Sequence, residues 1–257
     1  MNILAIGDVV GEGGCEFLRS KLPSLKKDYS IDLVIANGEN SAKKNGISRE
    51  SMNHIFNSGV DVITTGNHCF QNHQIYDCFE NEPFLLRPAN YPPAAVGRGY
   101  CIVDMLKYKV CVINLMGVVF MENLNCPFVA ADEIIKKVKN EAAVIIVDLH
   151  AEATSEKAAL AHYLDGRISA LFGTHTHVQT ADEKILPKKT GFITDIGMTG
   201  PIDSILGVKK ENIIRKMKDK LPTMFVHAEG LCRMDCAVFT INEKDGSCQG
   251  IKRLSVR

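Results

Sequence analysis

The sequence predicts an α/β fold on three observations. Apolar runs rich in β-branched residues recur along the chain, each ends abruptly in polar residues, and helical stretches lie between several of them. Within each run the apolar residues are continuous rather than alternating, which indicates a sheet that is covered on both faces. No repeat, low-complexity tract or Pro/Gly/Ser-rich linker marks a boundary, so we expect one domain over residues 1–257.

The elements follow from these runs in chain order. Strands are predicted at residues 2–6, 33–36, 60–64, 110–115, 144–147, 168–172 and 192–194. Helices are predicted at residues 48–58, 130–139 and 155–164. The tail differs, because residues 232–256 hold two extended runs around an Asn-Glu-Lys-Asp-Gly turn. This pattern predicts a β-hairpin that closes the fold.

Composition and charge exclude several classes of protein. Lys plus Arg is 30 and Asp plus Glu is 30, so the formal net charge is zero. The protein therefore has no net electrostatic attraction that would favour a stable complex with nucleic acid or with an anionic membrane. The longest apolar run, residues 142–147, is far shorter than the ~20 residues of a membrane-spanning helix. The N-terminus has no basic stretch and Asp8 interrupts its apolar residues, which is atypical of a signal peptide.

The cysteines indicate a reducing compartment. Nine are scattered singly without a C-x-x-C pair, a pattern typical of reduced thiols. Cys232 and Cys236 alternate with apolar residues as in a strand, and we expect them to pack in a core rather than to bind metal. We therefore expect a cytoplasmic protein.

The polar residues that follow the strands form a set of oxygen and imidazole donors without a thiolate. The set is Asp8, Glu39, Asn40, Asn67, His68, His150, His175 and His177. Such donors suit Mn, Fe or Zn, whereas Mg and Ca sites rarely use several histidines. One ion takes about four to six ligands, so eight candidates indicate two ions with a carboxylate between them, as in many phosphatases and nucleases.

Each of these residues also has a structural interpretation. A lone Asp or Glu at a strand end often caps a helix, and Gly66-Asn67 is a favourable turn pair. The strongest local signal is the pair His175 and His177, because residues two apart on a strand or tight turn can face one side. The remaining histidines are interpreted as ordinary surface or core residues. They are His54, His73, His162 and His227.

The motifs in this set resemble those of a known superfamily. They are Gly7-Asp8, Gly38-Glu39-Asn40, Gly66-Asn67-His68, Asp148-Leu149-His150-Ala151-Glu152 and Gly173-Thr174-His175-Thr176-His177. In order, they resemble the signature blocks of the calcineurin-like metallophosphoesterases. Residues 114–117, 150–157, 175–182 and 194–201 are similar to the YmdB-like branch in particular. The resemblance covers nearly the whole chain.

The resemblance implies a calcineurin-like metallophosphoesterase fold, a two-sheet β-sandwich flanked by helices. It also implies a dinuclear metal centre, most often of iron, with Mn or Zn as alternatives. Members of the branch are phosphodiesterases that act on cyclic nucleotides, including 2′,3′-cyclic nucleotides. Carried over by motif, the resemblance implies that Asp8 and His177 would bind one metal. Asn67, His150 and His175 would bind the other, and Glu39 would bridge the two. Asn40 and His68 would face the substrate phosphate.

This assignment predicts a metal-dependent phosphoric diester hydrolase with a small cyclic nucleotide as its substrate. Two cations remove the repulsion between the phosphodiester and an attacking hydroxide, which would bridge the metals. His68 would protonate the leaving oxygen, and Asn40 would donate to a non-bridging oxygen.

Some residues depart from the superfamily. Val10 stands where the first block has His, and Glu39 where the second block has Asp; the YmdB-like branch shares both changes. Val118 follows Gly117 where relatives commonly carry Arg, and Cys69-Phe70-Gln71 after His68 is atypical. The last two differences concern substrate preference rather than metal chemistry.

Two other functions are weighed against the enzyme. The glycines of residues 7–14 suggest a dinucleotide-binding loop, but their spacing is not G-x-G-x-x-G and their acidic residues would repel a pyrophosphate. A regulatory protein that binds metal and nucleotide with little turnover would need the same ligands, so the sequence leaves this alternative open. It also leaves open a homo-oligomer.

Overall fold

Two β-sheets lie face to face in this molecule, and helices cover both outer surfaces. The computed structural model describes all 257 residues. Three clusters of buried hydrophobic residues form the core. One lies between the first sheet and its helices, one between the two sheets, and one between the second sheet and its helices. The predicted arrangement of two sheets flanked by helices is confirmed.

The first sheet has seven strands, numbered here with the others in chain order. They are β1 (Asn2–Ile6), β2 (Asp8–Val9), β3 (Leu33–Asn37), β4 (Val62–Thr64), β11 (Met198–Pro201), β12 (Cys232–Ile241) and β13 (Cys248–Val256). Their order is β2-β11-β12-β1-β3-β4, and β13 pairs with β12. Strands β1, β3 and β4 are parallel, so their C-terminal ends meet at one edge.

The second sheet has six strands. They are β5 (Tyr100–Asp104), β6 (Lys109–Met116), β7 (Val144–His150), β8 (Ala170–Thr174), β9 (Lys184–Ile185) and β10 (Gly191–Ile193). Their order is β5-β6-β7-β8-β10-β9, and β6, β7, β8 and β10 are parallel. This sheet therefore also gathers the C-terminal ends of its central strands at one edge.

Six α-helices and one short 3₁₀ helix, His73–Ile75, complete the fold. The α-helices are α1 (Gly11–Asp28), α2 (Arg49–Asn57), α3 (Tyr76–Asn81), α4 (Pro127–Val138), α5 (Thr154–Leu164) and α6 (Lys210–Asp219). Helices α1, α2 and α3 pack on the outer face of the first sheet, and α4 and α5 pack on that of the second. None of the six combines the length and apolar character that crossing a bilayer requires.

Strand β1 shows why its apolar residues are continuous. Ile3 and Ala5 face the second sheet, whereas Leu4 and Ile6 face the helices, and all four are fully buried. Because successive residues of a strand point to opposite faces, a strand with a core on each side needs an apolar residue at every position. The continuous run of apolar residues therefore indicates that the strand lies between two cores.

The structure confirms the predicted strands and helices with shifts of a few residues at their ends, and it confirms the C-terminal hairpin as β12 and β13. All nine cysteines are free, and Cys232 and Cys236 are buried, as predicted. Seven α-helices and strands are not among those predicted: α1, α3, α6, β2, β5, β9 and β11. Helix α1 begins at Gly11, within the glycine-containing segment of residues 7–14. Gly14 lets α1 approach β11, since a Cβ there would lie 2.4 Å from the carbonyl oxygen of Thr199.

The core between the sheets is predicted to carry a large part of the stability. Phe239 of β12 is fully buried there with Phe172 of β8, at 6.3 Å between ring centroids. We expect Phe239→Ala to lower the free energy of unfolding by about 3–5 kcal/mol in urea titrations, because it removes packing and leaves a cavity. Leu106→Ala is the control, because Leu106 is 98% exposed. It should change the free energy of unfolding by less than about 0.5 kcal/mol. Equal effects of the two substitutions would contradict this account of the core.

Candidate metal centre

The structure brings all eight predicted site residues into one cluster between the C-terminal edges of the two sheets. Asp8 begins β2, Glu39 and Asn40 follow β3, and Asn67 and His68 follow β4. His150 ends β7, and His175 and His177 follow β8. Each of the eight lies within 3.9 Å of at least one other member.

Three donor atoms of the cluster lie close together. His150 Nε2 lies 3.1 Å from His175 Nδ1 and 3.0 Å from Asn67 Oδ1. No group of three or more His, Cys, Asp and Glu side chains is placed to hold a metal ion. The third donor of this set is the amide oxygen of Asn67.

The hydrogen bonds of His150 place its lone pair on Nε2. The hydroxyl of Thr174 donates to Asp148 Oδ1 at 2.8 Å, so its oxygen must accept the hydrogen bond from His150 Nδ1 at 2.9 Å. Burial lowers the pKa of His150 well below its ordinary value, which keeps the imidazole neutral. A neutral imidazole with a free Nε2 lone pair is the form that binds a metal.

His175 and Asn67 aim lone pairs at the same place. His175 Nε2 lies 3.1 Å from Glu152 Oε2, a contact that places the hydrogen on Nε2 and the lone pair on Nδ1. Asn67 Nδ2 donates to His68 Nε2 at 3.2 Å, so the amide oxygen faces His150. Three lone pairs repel one another unless a cation lies between them. Two metal–ligand bonds of about 2.0–2.1 Å that meet at a right angle separate their ligand atoms by about 3 Å. The spacing of these three atoms therefore fits a transition metal.

A second set of donors surrounds Asp8. His177 Nδ1 donates to the carbonyl oxygen of Leu206 at 3.0 Å, which leaves Nε2 facing Asp8 Oδ1 at 3.6 Å and Asn40 Nδ2 at 3.1 Å. Burial acts to raise the pKa of Asp8, but His177 and the backbone N–H of His175 outweigh it and hold the pKa well below its ordinary value. Asp8 Oδ1 is buried and accepts no hydrogen bond. An ionised oxygen of this kind needs a positive charge nearby.

Glu39 lies beside the first set and is fully buried. Its carboxylate accepts the backbone N–H groups of Gly66 and His68, and Oε1 lies 3.9 Å from His150 Nε2. Burial raises the pKa of Glu39, and His68, whose Nδ1 is 3.1 Å away, opposes that rise. Gly66 is required here, because a Cβ would lie 2.2 Å from the ring of His150.

Comparisons with known proteins place the chain in a family. A family model described as YmdB-like protein matches residues 4–254 of the chain. The chain belongs to the YmdB-like family. It is 44% identical over 256 residues to a protein of Bacillus subtilis (strain 168) named 2′,3′-cyclic-nucleotide 2′-phosphodiesterase, covering 100% of this chain and 97% of that protein. The resemblance inferred from the motifs is confirmed.

Two solved structures share the YmdB-like fold over almost their whole length. A hypothetical protein from Thermus thermophilus superposes with a TM-score of 0.93 at 38% identity, covering 99% of this chain and 98% of that one. A structure described as a novel phosphatase from Mycoplasma pneumoniae also has a TM-score of 0.93, at 31% identity, covering 100% of this chain and 93% of that one.

A strained turn presents the two histidines that follow β8. The backbone of His175 has φ 101° and that of His177 has φ 63°, values that cost about 1–3 kcal/mol each in residues other than glycine. Asp195 holds the turn by accepting the backbone N–H of Thr176 at 3.1 Å and its hydroxyl at 2.8 Å. Lys157 Nζ lies 2.8 Å from the same carboxylate, and both members of this ion pair are buried.

The sequence assigns no role to the residues that orient the clustered histidines. Asp148 and Glu152 lie in the motif at residues 148–152, but nothing in it shows that they act on different histidines. His227 is predicted to be an ordinary surface or core residue, and in the structure its Nε2 lies 3.2 Å from Asn45 Oδ1. Burial lowers its pKa, and the charge of His177 in the cluster adds to that shift. The other three histidines lie away from the cluster, as predicted. His54 lies beside Glu16 on α1, His73 against Tyr76, and His162 at the end of α5.

Breaking the buried ion pair behind the turn should destabilise the protein strongly. Asp195→Ala leaves the Lys157 ammonium buried without a partner, and we expect a loss of about 3–5 kcal/mol in the free energy of unfolding. Asp203→Ala is the matched control, because the Asp203–Lys210 pair is exposed and its loss should cost no more than about 1 kcal/mol. Denaturant titrations that give the two variants the same stability would show that Asp195 does not hold this turn.

Proposed function

We propose that this protein is a dinuclear-metal-dependent phosphodiesterase that hydrolyses cyclic nucleotides, with 2′,3′-cyclic nucleotides as its substrate class. The observation that carries the proposal is the convergence of donor atoms in two adjacent sets between the C-terminal edges of the two sheets. The name of the Bacillus subtilis relative, which covers the same length, supports the choice of substrate.

The two sets suggest how two ions would be held. Asn67, His150 and His175 would hold one ion, Asp8 and His177 the other, and Glu39 would contact both. Nitrogen and oxygen donors without a thiolate suit Fe, Mn or Zn, and we propose iron on the resemblance to the family. Bound ions would supply positive charge to the phosphate and lower the pKa of water from 15.7 toward ~7.

The protein's own side chains would orient the phosphate and move a proton. Asn40, whose Nδ2 lies 3.1 Å from His177 Nε2, would donate a hydrogen bond to a non-bridging oxygen as charge develops there. In the reaction a bond would form between a water oxygen and phosphorus while the bond from phosphorus to O2′ breaks, and the attacking water would release one proton to solvent. His68 would give a proton to O2′, and the product would be a 3′-phosphomonoester.

His68 is a proposed acid because it belongs to neither set of converging lone pairs. Its side chain is 36% exposed, whereas those of His150 and His177 are 0% and 10% exposed. It borders both Glu39 and Asn67, and it is the histidine of the cluster most open to a substrate.

The metal content of single variants tests the assignment of ligands. Purified protein loaded with Mn²⁺ and analysed by elemental mass spectrometry should hold about two ions per chain. We expect Glu39→Ala to reduce occupancy of both positions, because its carboxylate would serve both ions. His175→Ala and His177→Ala should each lose mainly one. His162→Ala removes an exposed histidine and should keep both ions; a Glu39→Ala protein that also keeps both would exclude Glu39 as a bridge.

The role of His68 is tested by separating binding from turnover. We expect His68→Ala to keep its metal content and to lose roughly 10²–10⁴ in rate on 2′,3′-cyclic AMP, because a general acid contributes that much. The loss should shrink on a nitrophenyl phosphodiester, whose leaving group needs little protonation. Loss of metal, or an equal loss of rate on both esters, would return His68 to a ligand or structural role.

Turnover by the wild-type protein decides between the enzyme and the regulatory alternative. A metal-loaded protein that binds 2′,3′-cyclic nucleotides without hydrolysing them would support regulation by binding.

A further inference from the structure

We propose that Phe120, on the loop after β6, is a platform on which the base of a nucleotide substrate stacks. This inference rests on the proposed function and deepens it, because it assigns a binding site for the part of the substrate that does not react. The loop covers residues 117–125 and is called here the β6 loop.

The β6 loop is attached to the metal-ligand cluster at its first residue. The backbone N–H of Gly117 donates to the carbonyl oxygen of His150 at 3.0 Å. The buried carboxylate of Glu156 accepts the N–H groups of Val118 at 2.9 Å and Val119 at 3.3 Å. Phe120 is therefore three residues from a direct contact with a proposed ligand, on a segment whose backbone is fixed before any substrate binds.

The far side of the β6 loop is attached beside His68. Glu122 accepts a hydrogen bond from the hydroxyl of Tyr91 at 3.2 Å. The ring of Tyr91 packs at 5.2 Å against Phe70, which is two residues after His68. The loop thus runs from the His150 side of the cluster to the His68 side, and Phe120 lies between these two attachments.

The conformation of Phe120 is costly for the fold. Its φ is 62°, a value that turns normally give to Gly or Asn, and its side chain is 90% exposed. A strained backbone and an exposed aromatic ring contribute nothing to packing. Residues that keep such costs are expected at functional sites.

We assign this role to Phe120 because of its position rather than because its side chain is exposed. Leu106 also has a positive φ, 67°, and is 98% exposed. It lies in the turn before β6, at the opposite end of an eight-residue strand that spans roughly 25 Å at about 3.3 Å per residue. Leu106 is therefore a matched control, with the same local features at the end of the sheet away from the cluster.

The chemistry of the β6 loop favours a base over a phosphate. Residues 117–121 are Gly, Val, Val, Phe and Met, so this part of the loop offers no cation to an anion. A flat aromatic ring stacks on the face of any base, and removing such a ring lowers affinity at least about fivefold. The larger face of a purine should gain more from the contact than a pyrimidine.

Two substrates with one reacting centre test the platform. We would measure kcat and KM for 2′,3′-cyclic AMP and for methyl β-D-ribofuranoside 2′,3′-cyclic phosphate, which lacks the base. For Phe120→Ala we expect KM for cyclic AMP to rise at least about fivefold, with kcat nearly unchanged and both constants for the base-free substrate within twofold of wild type. Phe120→Tyr should retain wild-type KM, and Leu106→Ala should match wild type on both substrates.

Each outcome bears on one proposal. An unchanged KM for cyclic AMP in Phe120→Ala, or an equal loss on both substrates, would overturn the platform while leaving the phosphodiesterase intact. If the wild-type protein cleaves neither substrate, the proposed function fails. Calorimetric binding of 3′-AMP to wild type and Phe120→Ala then tests the platform by itself, with equal affinities counting against it.

Discussion

Two carboxylates buried between the sheet edges set the constraint on which the rest of the structure depends. Asp8 and Glu39 are fully buried, and Asp8 Oδ1 has no hydrogen-bond donor. Removing a carboxylate from water is expensive unless charge or hydrogen bonds replace the lost solvation. The backbone supplies two N–H groups to Glu39, and imidazoles surround Asp8, but the cluster also contains three lone pairs that face one another. A pair of cations would satisfy all of these groups at once.

Three histidines of the cluster are each fixed by a different acceptor. His150 donates to Thr174, which donates in turn to Asp148; His175 contacts Glu152; and His177 donates to the carbonyl of Leu206. Each contact places a hydrogen on the nitrogen that faces away from the cluster, so the other nitrogen is free to bind. The buried pair of Lys157 and Asp195 then holds the strained turn that carries two of these rings.

Much of this arrangement could be predicted from the sequence, for physical reasons. Continuous apolar runs mark strands between two cores, as Ile3 to Ile6 show. The donor types at strand ends indicated a metal centre, and parallel strands bring those ends together. The roles assigned to the eight residues stay predictions. Helix α1 was missed because it begins with glycines and contains Pro23, although Leu18, Leu22 and Leu25 have helical spacing.

Other parts of the site could not be predicted because they depend on tertiary contacts. The carbonyl of Leu206 carries no side-chain signal and lies 29 residues from His177. The turn that contains His175 is held by Asp195, which accepts hydrogen bonds from Thr176 across 19 residues of the chain. His227 comes within electrostatic influence of His177 through a segment between β11 and β12 whose path nothing in the sequence fixes.

The most direct test of the account is the position of bound ions in crystals of the Mn²⁺-loaded protein, located by anomalous diffraction. We expect two peaks about 3.5–4 Å apart. One should lie within bonding distance of Asn67, His150 and His175, the other within bonding distance of Asp8 and His177, and the Glu39 carboxylate should contact both. A single peak, or ions bound by other residues, would contradict it.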